Sequence, residues 1–387
     1  MTKIGRRKTL ATFALAMVTT LFAPLAWAQA KEPLRFGVTM PMTGSQSTQG
    51  VDLLTSIQWA VADINAKGGV DGHPLEMIAL DSQGEPQLGI AAVNRLVHIE
   101  KVPVFIIAWS GVVKAVAPIA NREKVLELSA GASSPDIAKL GDYVYTTYPL
   151  SDVDVAALAR YTVDTLGKKR VAVAYINNDS GVEGARAYRT AFEKAGGQIV
   201  AYEAYDPKGS DFSGVVLKMR ASNPEMIHMH GLMTDTLQVM TQMRQLGMNH
   251  RVSMYGGVGY NFKLISQLGA AAEGMIVTNI APGAKDNPNV QGFIDRWQKT
   301  VGHASNALSV TQYTYDGPYL IAELYKWVLK NKLPPTGENM RKALLAIKKF
   351  DLPMTGMLEV SEDHRVSKPV YLLTVEKGQF VPMGVAK

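Results

Sequence analysis

Two short turns carry the residues best suited to chemistry: Trp109-Ser110-Gly111, and Ser129-Ala130-Gly131-Ala132-Ser133-Ser134. They follow apolar runs, Val102–Trp109 and Val125–Leu128, with the length and β-branched content of strands buried on both faces. The segment Val112–Glu123 between the runs has helix length, so the stretch reads as one right-handed βαβ unit. In an open parallel sheet, ligands settle outside the carboxyl ends of the strands, which places both turns on one crevice. Gly111, Gly131 and Ala132 would let a ligand approach the backbone, and Ser110 and Ser133 offer hydroxyls. Peptide N–H groups at a helix start favour an anion. The chemistry that fits is non-covalent capture of a small carboxylate. Ordinary βα turns with Ser capping the next helix use the same residue types. Trp109 is either strand core or a cleft wall that stacks on an apolar ligand.

Other chemistries find little support. The chain has no Cys, which rules out thiol nucleophiles, thiolate metal sites and redox pairs. His228-x-His230 closes a predicted strand with both imidazoles on one face. Two ligands do not make a zinc site, so no metal is assigned, and His230 is instead a candidate to hydrogen-bond a ligand's polar end. There is no G-x-S-x-G elbow and no P-loop, and Gly256–Gly259 lacks the spacing of a dinucleotide fingerprint. No enzyme activity and no cofactor are expected.

The first thirty residues form a unit of their own. Lys3, Arg6, Arg7 and Lys8 make a positive head, Leu10–Leu25 is almost wholly apolar or small, and Ala28 or Ala30 ends a small-x-small cleavage site. This is the pattern of a secretory signal, and it predicts a periplasmic protein. Removing its four positive charges from 40 Lys and Arg leaves 36 against 34 Asp and Glu, a net charge of +2. No nucleic-acid partner is implied. No later stretch approaches the roughly eighteen apolar residues of a membrane span. A chain of 387 residues can build two cores, and without disulfides its stability must come from packing.

Strand and helix patterns alternate from Leu34 onward. Strands are predicted at Leu34–Met40 and Leu75–Asp81, and helices at Val51–Ala66 and Pro86–Glu100, with a polar loop at Pro41–Gly50. After an extended crossing at Tyr143–Pro149 the alternation resumes. It includes strands Arg170–Ile176, Gln198–Tyr205 and Glu225–His230 and helices Val182–Ala195 and Thr234–Leu246. Helices at Val290–Val301, Leu308–Lys330 and Glu338–Phe350 precede a β-rich end. Tyr313 and Tyr315 in the second of these read as packing residues. The class is α/β and doubly wound, in two halves.

The runs VTMPMTGSQSTQG, AVADINAKGGVDGHPLEMIALDSQGEPQLGIAAVNRLV, LELSAGASSPDIAKLGDYVYTTYP and AAEGMIVTN follow one another in an order that resembles the Leu/Ile/Val-binding proteins of ABC transporters. The resemblance implies two Rossmann-like lobes with parallel sheets, joined by three hinge crossings. By this analogy the first lobe is 31–149 plus 283–352 and the second 150–282 plus 353–387. A monomer would trap a small molecule between the lobes and deliver it to an inner-membrane ABC permease. The same architecture also serves ligand sensors that signal to a receptor.

In amino-acid-binding members, hydroxyl residues after the third and fourth strands hold the ligand carboxylate, and matching their motifs returns Ser110 and Ser133. The second lobe departs from the pattern. Ser180 stands where a tyrosine is common, Leu232 follows Gly231 where an aromatic is common, and Tyr255-Gly256 opens a loop without the acid that pairs with a ligand ammonium. A buried ammonium lacking a counter-charge is costly, so an aromatic, fatty or dicarboxylic acid fits better than an amino acid. Asp179 or Asp235 could supply the charge from a neighbouring loop, which keeps hydrophobic amino acids as the alternative. Ser180, His230 and Tyr255 are expected to add contacts when the second lobe closes.

Overall fold

A computed structural model describes residues 31–386 apart from 304 and 367, together with Thr2. The secretory signal read at 1–30 and its cleavage site therefore lie outside the described residues, Thr2 aside.

The first lobe begins β1 (Leu34–Met40), α1 (Ser47–Ala66), β2 (Leu75–Asp81), α2 (Pro86–His98), β3 (Val104–Ile107), α3 (Ser110–Glu123), β4 (Leu126–Ser129) and β5 (Val144–Thr146). Its five strands are all parallel, in the order β2-β1-β3-β4-β5. All four residues of β3 are buried, as a strand covered by helices on both faces requires.

The second lobe follows with α4 (Ser151–Arg160), β6 (Arg170–Ile176), α5 (Asp179–Lys194), β7 (Gln198–Tyr205), α6 (Ser213–Ala221), β8 (Met226–His230), α7 (Met233–Gln245), β9 (Val252–Met254), α8 (Gly256–Gly259), α9 (Phe262–Leu268) and β10 (Ile276–Asn279). Helices α10 (Pro288–Val301), α11 (Leu308–Lys330) and α12 (Gly337–Ile347) return to the first lobe. Then come β11 (Lys349–Leu352), β12 (Gly356–Glu359), β13 (Tyr371–Glu376) and β14 (Gln379–Val385). The second sheet runs β14-β13-β10-β9-β8-β6-β7, with β13 antiparallel to both of its neighbours.

The chain passes between lobes after β5, after β10 and before β13, which are the three crossings expected of this fold. In each sheet the strand order reverses beside the first strand, between β1 and β3 and between β6 and β8. The loops at these two switch points face one another across the cleft.

Three predicted boundaries are corrected. Helix 338–350 stops at Ile347, because Lys348 takes a positive φ of 59° and residues 349–352 pair with β12. In consequence residues 353–370 do not join the second lobe. Leu358, Val360, Val366 and Val370 bury into the first lobe's core. His364 stacks on Tyr145 with ring centroids 4.2 Å apart, and its carbonyl accepts from Thr146 N–H at 3.1 Å. The third crossing therefore lies near Val370. Helix α3 also begins at Ser110, two residues earlier than its apolar pattern suggested, so Ser110 and Gly111 form its first turn.

Glu127, in the middle of β4, is fully buried, and neither of its carboxylate oxygens has a hydrogen-bond partner. Burial pushes its carboxyl well above the usual range. The folded state thus keeps the proton after the unfolded chain has lost it, and stability falls as pH rises above the ordinary glutamate value. Relative to wild type, Glu127→Gln should gain stability as pH rises above about 5, by up to roughly 1.4 kcal/mol per unit. Urea unfolding at several pH values checks this, and a constant difference would contradict it.

Candidate functional site

The cleft between the lobes encloses about 590 Å³ and is walled by both. From the first lobe come Gln46 and Gln49 near the start of α1, Trp109, Ser110 and Gly111 after β3, and Gly131 and Ser133 after β4. From the second come Asp179 and Ser180 after β6, Leu232 after β8, and Tyr255 after β9. Tyr148 at the first crossing and Leu53 and Val310 close the apolar end.

Local structure explains how these residues are aimed. Trp109 holds a positive φ of 68° with ψ 116°, a conformation that side chains rarely adopt, and it turns the chain from β3 directly into α3. Such strain costs on the order of 1–3 kcal/mol and clusters at ligand sites. Ser110 Oγ accepts from Ser134 N–H at 3.2 Å, which ties the two turns together. Gly131 lies where a Cβ would come within 3.1 Å of Ala108 and 3.2 Å of Val310, so the ligand-side backbone stays bare. Asn178 caps α5 by accepting from Gly181 N–H at 2.9 Å, which places Ser180 in the helix's first turn. Ser133 Oγ and Ser180 Oγ are 3.0 Å apart, so hydroxyls of the two lobes meet in the cleft.

Tyr255 is 4% exposed; its hydroxyl donates to the Gly231 carbonyl at 3.3 Å, and its ring stacks on His230 at 4.1 Å with planes 7° apart. Burial pushes its hydroxyl pKa up, and the nearby Asp154 and Asp235 push it further, so the phenol stays protonated and able to donate.

Eight of the eleven residues expected at a ligand line this cleft: Trp109, Ser110, Gly111, Gly131, Ser133, Ser180, Leu232 and Tyr255. Three do not. Ala132 is 1% exposed and packs into the first lobe's second core. Gly256 turns its N–H to Asp154 at 3.0 Å, where Thr278 Oγ also donates at 2.8 Å. His230 is fully buried with both ring nitrogens unpartnered, against α5 so closely that a Cβ on Gly184 would lie 2.1 Å from Nε2. It therefore backs Tyr255 rather than touching the cleft. Tyr313 and Tyr315 are buried, with hydroxyls on the Ile280 carbonyl and on Asp63, as packing residues.

Of the three acids that line the cleft, Glu183 and Asp179 are engaged and Glu85, just before α2, is exposed to solvent. Lys114 pairs with Glu183 and, at 3.2 Å, with Asp179, and Ser134 Oγ donates to the other Glu183 oxygen. Asp235 accepts from Tyr205 Oη at 2.6 Å and from Leu232 N–H, and it does not line the cleft. Among the described residues no group of three or more His, Cys, Asp or Glu is arranged to hold a metal ion.

Sequence reasoning missed Gln46, Gln49, Tyr148 and Val310. The two glutamines sit at a switch-point strand end, a signal that was available. Val310 arrives from some two hundred residues away in the sequence and carried none.

Two α/β lobes whose strand tips jointly wall one cleft define a ligand-capture protein that closes around a small molecule. The sequence pattern of the periplasmic binding protein family matches residues 33–379, and the chain belongs to that family. The Leu/Ile/Val-binding protein BraC3 of Rhizobium johnstonii is 29% identical over 283 residues, 72% of this chain and 75% of that one. The structure of leucine binding protein LivK from Thermotoga maritima superposes with a TM-score of 0.81 at 24% identity, covering 92% and 99% of the two chains. An ABC transporter solute binding protein from R. palustris, in complex with 4-hydroxybenzoate, gives 0.80 at 22%, covering 92% and 96%. At these identities the solved structures speak for the fold alone. The protein is thus a substrate-binding component of the ABC-transporter type. Its family binds small molecules outside the cytoplasm, works with membrane permeases and is not an enzyme class.

Burial holds the His230 pKa down to about 3, so below the ordinary histidine value the unfolded chain takes up a proton that the folded one refuses. Stability from this site is present above pH 6.5 and is lost as pH falls toward 3. Relative to wild type, His230→Phe should gain about 1.4 kcal/mol per pH unit between pH 6 and 4. Denaturant unfolding across that range is the measurement, and a variant that parallels wild type would show His230 to be accessible to protons.

Proposed function

We propose that the cleft captures a small carboxylate that carries no ammonium group, an aromatic, fatty or dicarboxylic acid, and delivers it to an ABC permease. The observation that carries this reading is the state of the acids around the cleft. Glu183 has both oxygens occupied, Asp179 is paired with Lys114, the loop opened by Tyr255-Gly256 contains no acid, and the remaining lining acid, Glu85, is solvent-exposed ahead of α2 rather than at the serine end. An ammonium brought into such a site would lose its hydration without gaining a full counter-charge. A carboxylate meets Ser110, Ser133, Ser180 and the first-turn N–H groups of α3 and α5. Leu53, Trp109, Val258 and Val310 supply an apolar wall for the rest of the molecule.

The acid docks on Ser110 and Ser133 of the first lobe, and the second lobe then closes with Ser180 and Tyr255. Only contacts made in the closed form shift the balance toward closure. Both walls come from one chain, which supports a monomeric carrier, and the leader-like first thirty residues support export to the periplasm.

A second reading, a hydrophobic amino acid, draws on Asp179. Its side chain lines the cleft, is 47% exposed, and keeps an oxygen that would lie 3.1 Å from a Cβ on Gly111.

Matched pairs separate the readings. 4-Methylpentanoate against leucine, and 3-phenylpropionate against phenylalanine, each differ only by the α-ammonium. In a thermal-shift panel that also holds benzoates and diacids, acids lacking the ammonium should stabilise the protein saturably. A response confined to amino acids would overturn the proposal. With a responding acid, Ser133→Ala should weaken binding by about 1.5–3 kcal/mol in calorimetry, the range for a hydrogen bond to a charged group. Unchanged affinity would remove Ser133 from the carboxylate site.

A further inference from the structure

Beside the cleft, where α3 meets α5, the lobes present faces of opposite sign. The first lobe contributes Lys114, Asp136 and Lys139, a net +1, and the second contributes Asp179, Glu183 and Arg186, a net −1. Arg186 reaches Asp136 across the gap at 3.5 Å. Glu183 is at the centre, with a side chain only 9% exposed. One of its oxygens takes Lys114 Nζ and the other takes Ser134 Oγ, while Lys114 also reaches Asp179 at 3.2 Å.

These contacts are wired to the ligand turns. Ser134 N–H donates to Ser110 Oγ at 3.2 Å. Lys114 is one helical turn behind Ser110 on α3, and Glu183 is one turn behind Ser180 on α5. Opening the cleft would part Glu183 from Lys114 and Ser134 at once and pull Ser180 away from Ser133.

We propose that Glu183 is the closure residue of this protein, a positioning group at the cleft wall whose two oxygens are taken by Lys114 and Ser134 and so hold the lobes together rather than a ligand. Its two charge-assisted hydrogen bonds exist only when the lobes meet, so they are differential contacts of the closed state and act whatever the ligand is. Losing them lowers the closed-to-open ratio by about tenfold or more. Every ligand is then weakened by the same factor and their ranking is kept, whereas a residue touching the ligand alters the ranking. The inference rests on the two-lobed fold and not on the carboxylate reading.

The chain has no native cysteine, so nitroxide labels can be placed cleanly by Ala91→Cys on α2 and Glu193→Cys on α5, both exposed. Pulsed electron–electron resonance on the protein with no ligand added then reads the lobe separation directly. Glu183→Gln and Lys114→Gln should each move population to longer distances, by about tenfold or more in the ratio, and the double variant should shift by less than the two single shifts combined. Ser134→Ala should move it in the same direction by less. An unchanged distribution in Glu183→Gln or additive shifts in the double variant would each overturn the proposal. With no ligand present, failure here leaves the carboxylate reading standing, and failure of the acid panel leaves the closure residue standing.

Discussion

The constraint on which everything else depends is that both sheets are buried on their two faces. A sheet sealed by helices offers no flat surface to a ligand, and its backbone polar groups are consumed by neighbouring strands. What remains accessible is the row of carboxyl-terminal strand tips, where chains turn, helices begin and unpaired N–H groups point outward. Setting two such rows against each other makes a cleft lined by turns, and turns are where small residues, hydroxyls and strained backbone are tolerated. Trp109, held at positive φ between β3 and α3, is the sharpest case.

Electrostatics decides what such a cleft can hold. A charge buried between lobes must find a partner or be neutralised, and this protein partners the charges it buries there before any ligand arrives. Lys114 draws Asp179 and Glu183 together, and Asp235 is absorbed by Tyr205 and the start of α7. The remaining polar groups at the serine end of the cleft are mostly donors able to rotate, the hydroxyls of Ser133 and Ser180, that suit an incoming oxygen anion. Behind them His230 has no hydrogen-bond partner among the described residues. It is a flat spacer between Tyr255 and α5, kept neutral by burial, and its place in the core explains why a polar residue at a strand end does not have to face a ligand.

Closure and recognition share their parts. Helices α3 and α5 each carry a cleft serine in the first turn and an interlobe charge one turn later, so a movement that brings the charges together also brings the hydroxyls to the ligand. The third crossing is stitched to the first lobe through His364 on Tyr145, while Arg365 pairs with Asp152 at 2.7 Å at the start of α4. The hinge is therefore held on both sides of the turn that leads to the second lobe.

The amino-acid sequence determined the alternation of strand and helix, the boundaries of β1, β2, β6, β7 and α11 to the residue, and the two turns that bear Ser110 and Ser133. These are local properties, written in apolar runs that stop at small polar residues. It also displayed the missing acid after β9. It did not show that residues 353–370 pack on the first lobe, since β11 and β12 are short and find their partners only in each other and in a distant core. Nor did it show that His230 turns inward while Ser180 turns to the cleft. Side chains at a strand tip face core or solvent according to what packs above them, and for His230 that was the bare backbone of Gly184 on α5. Val310, Tyr148 and Glu183 reached the cleft only because three separate crossings bring remote segments together, a juxtaposition that exists in the folded chain and has no trace in the spacing of its residues.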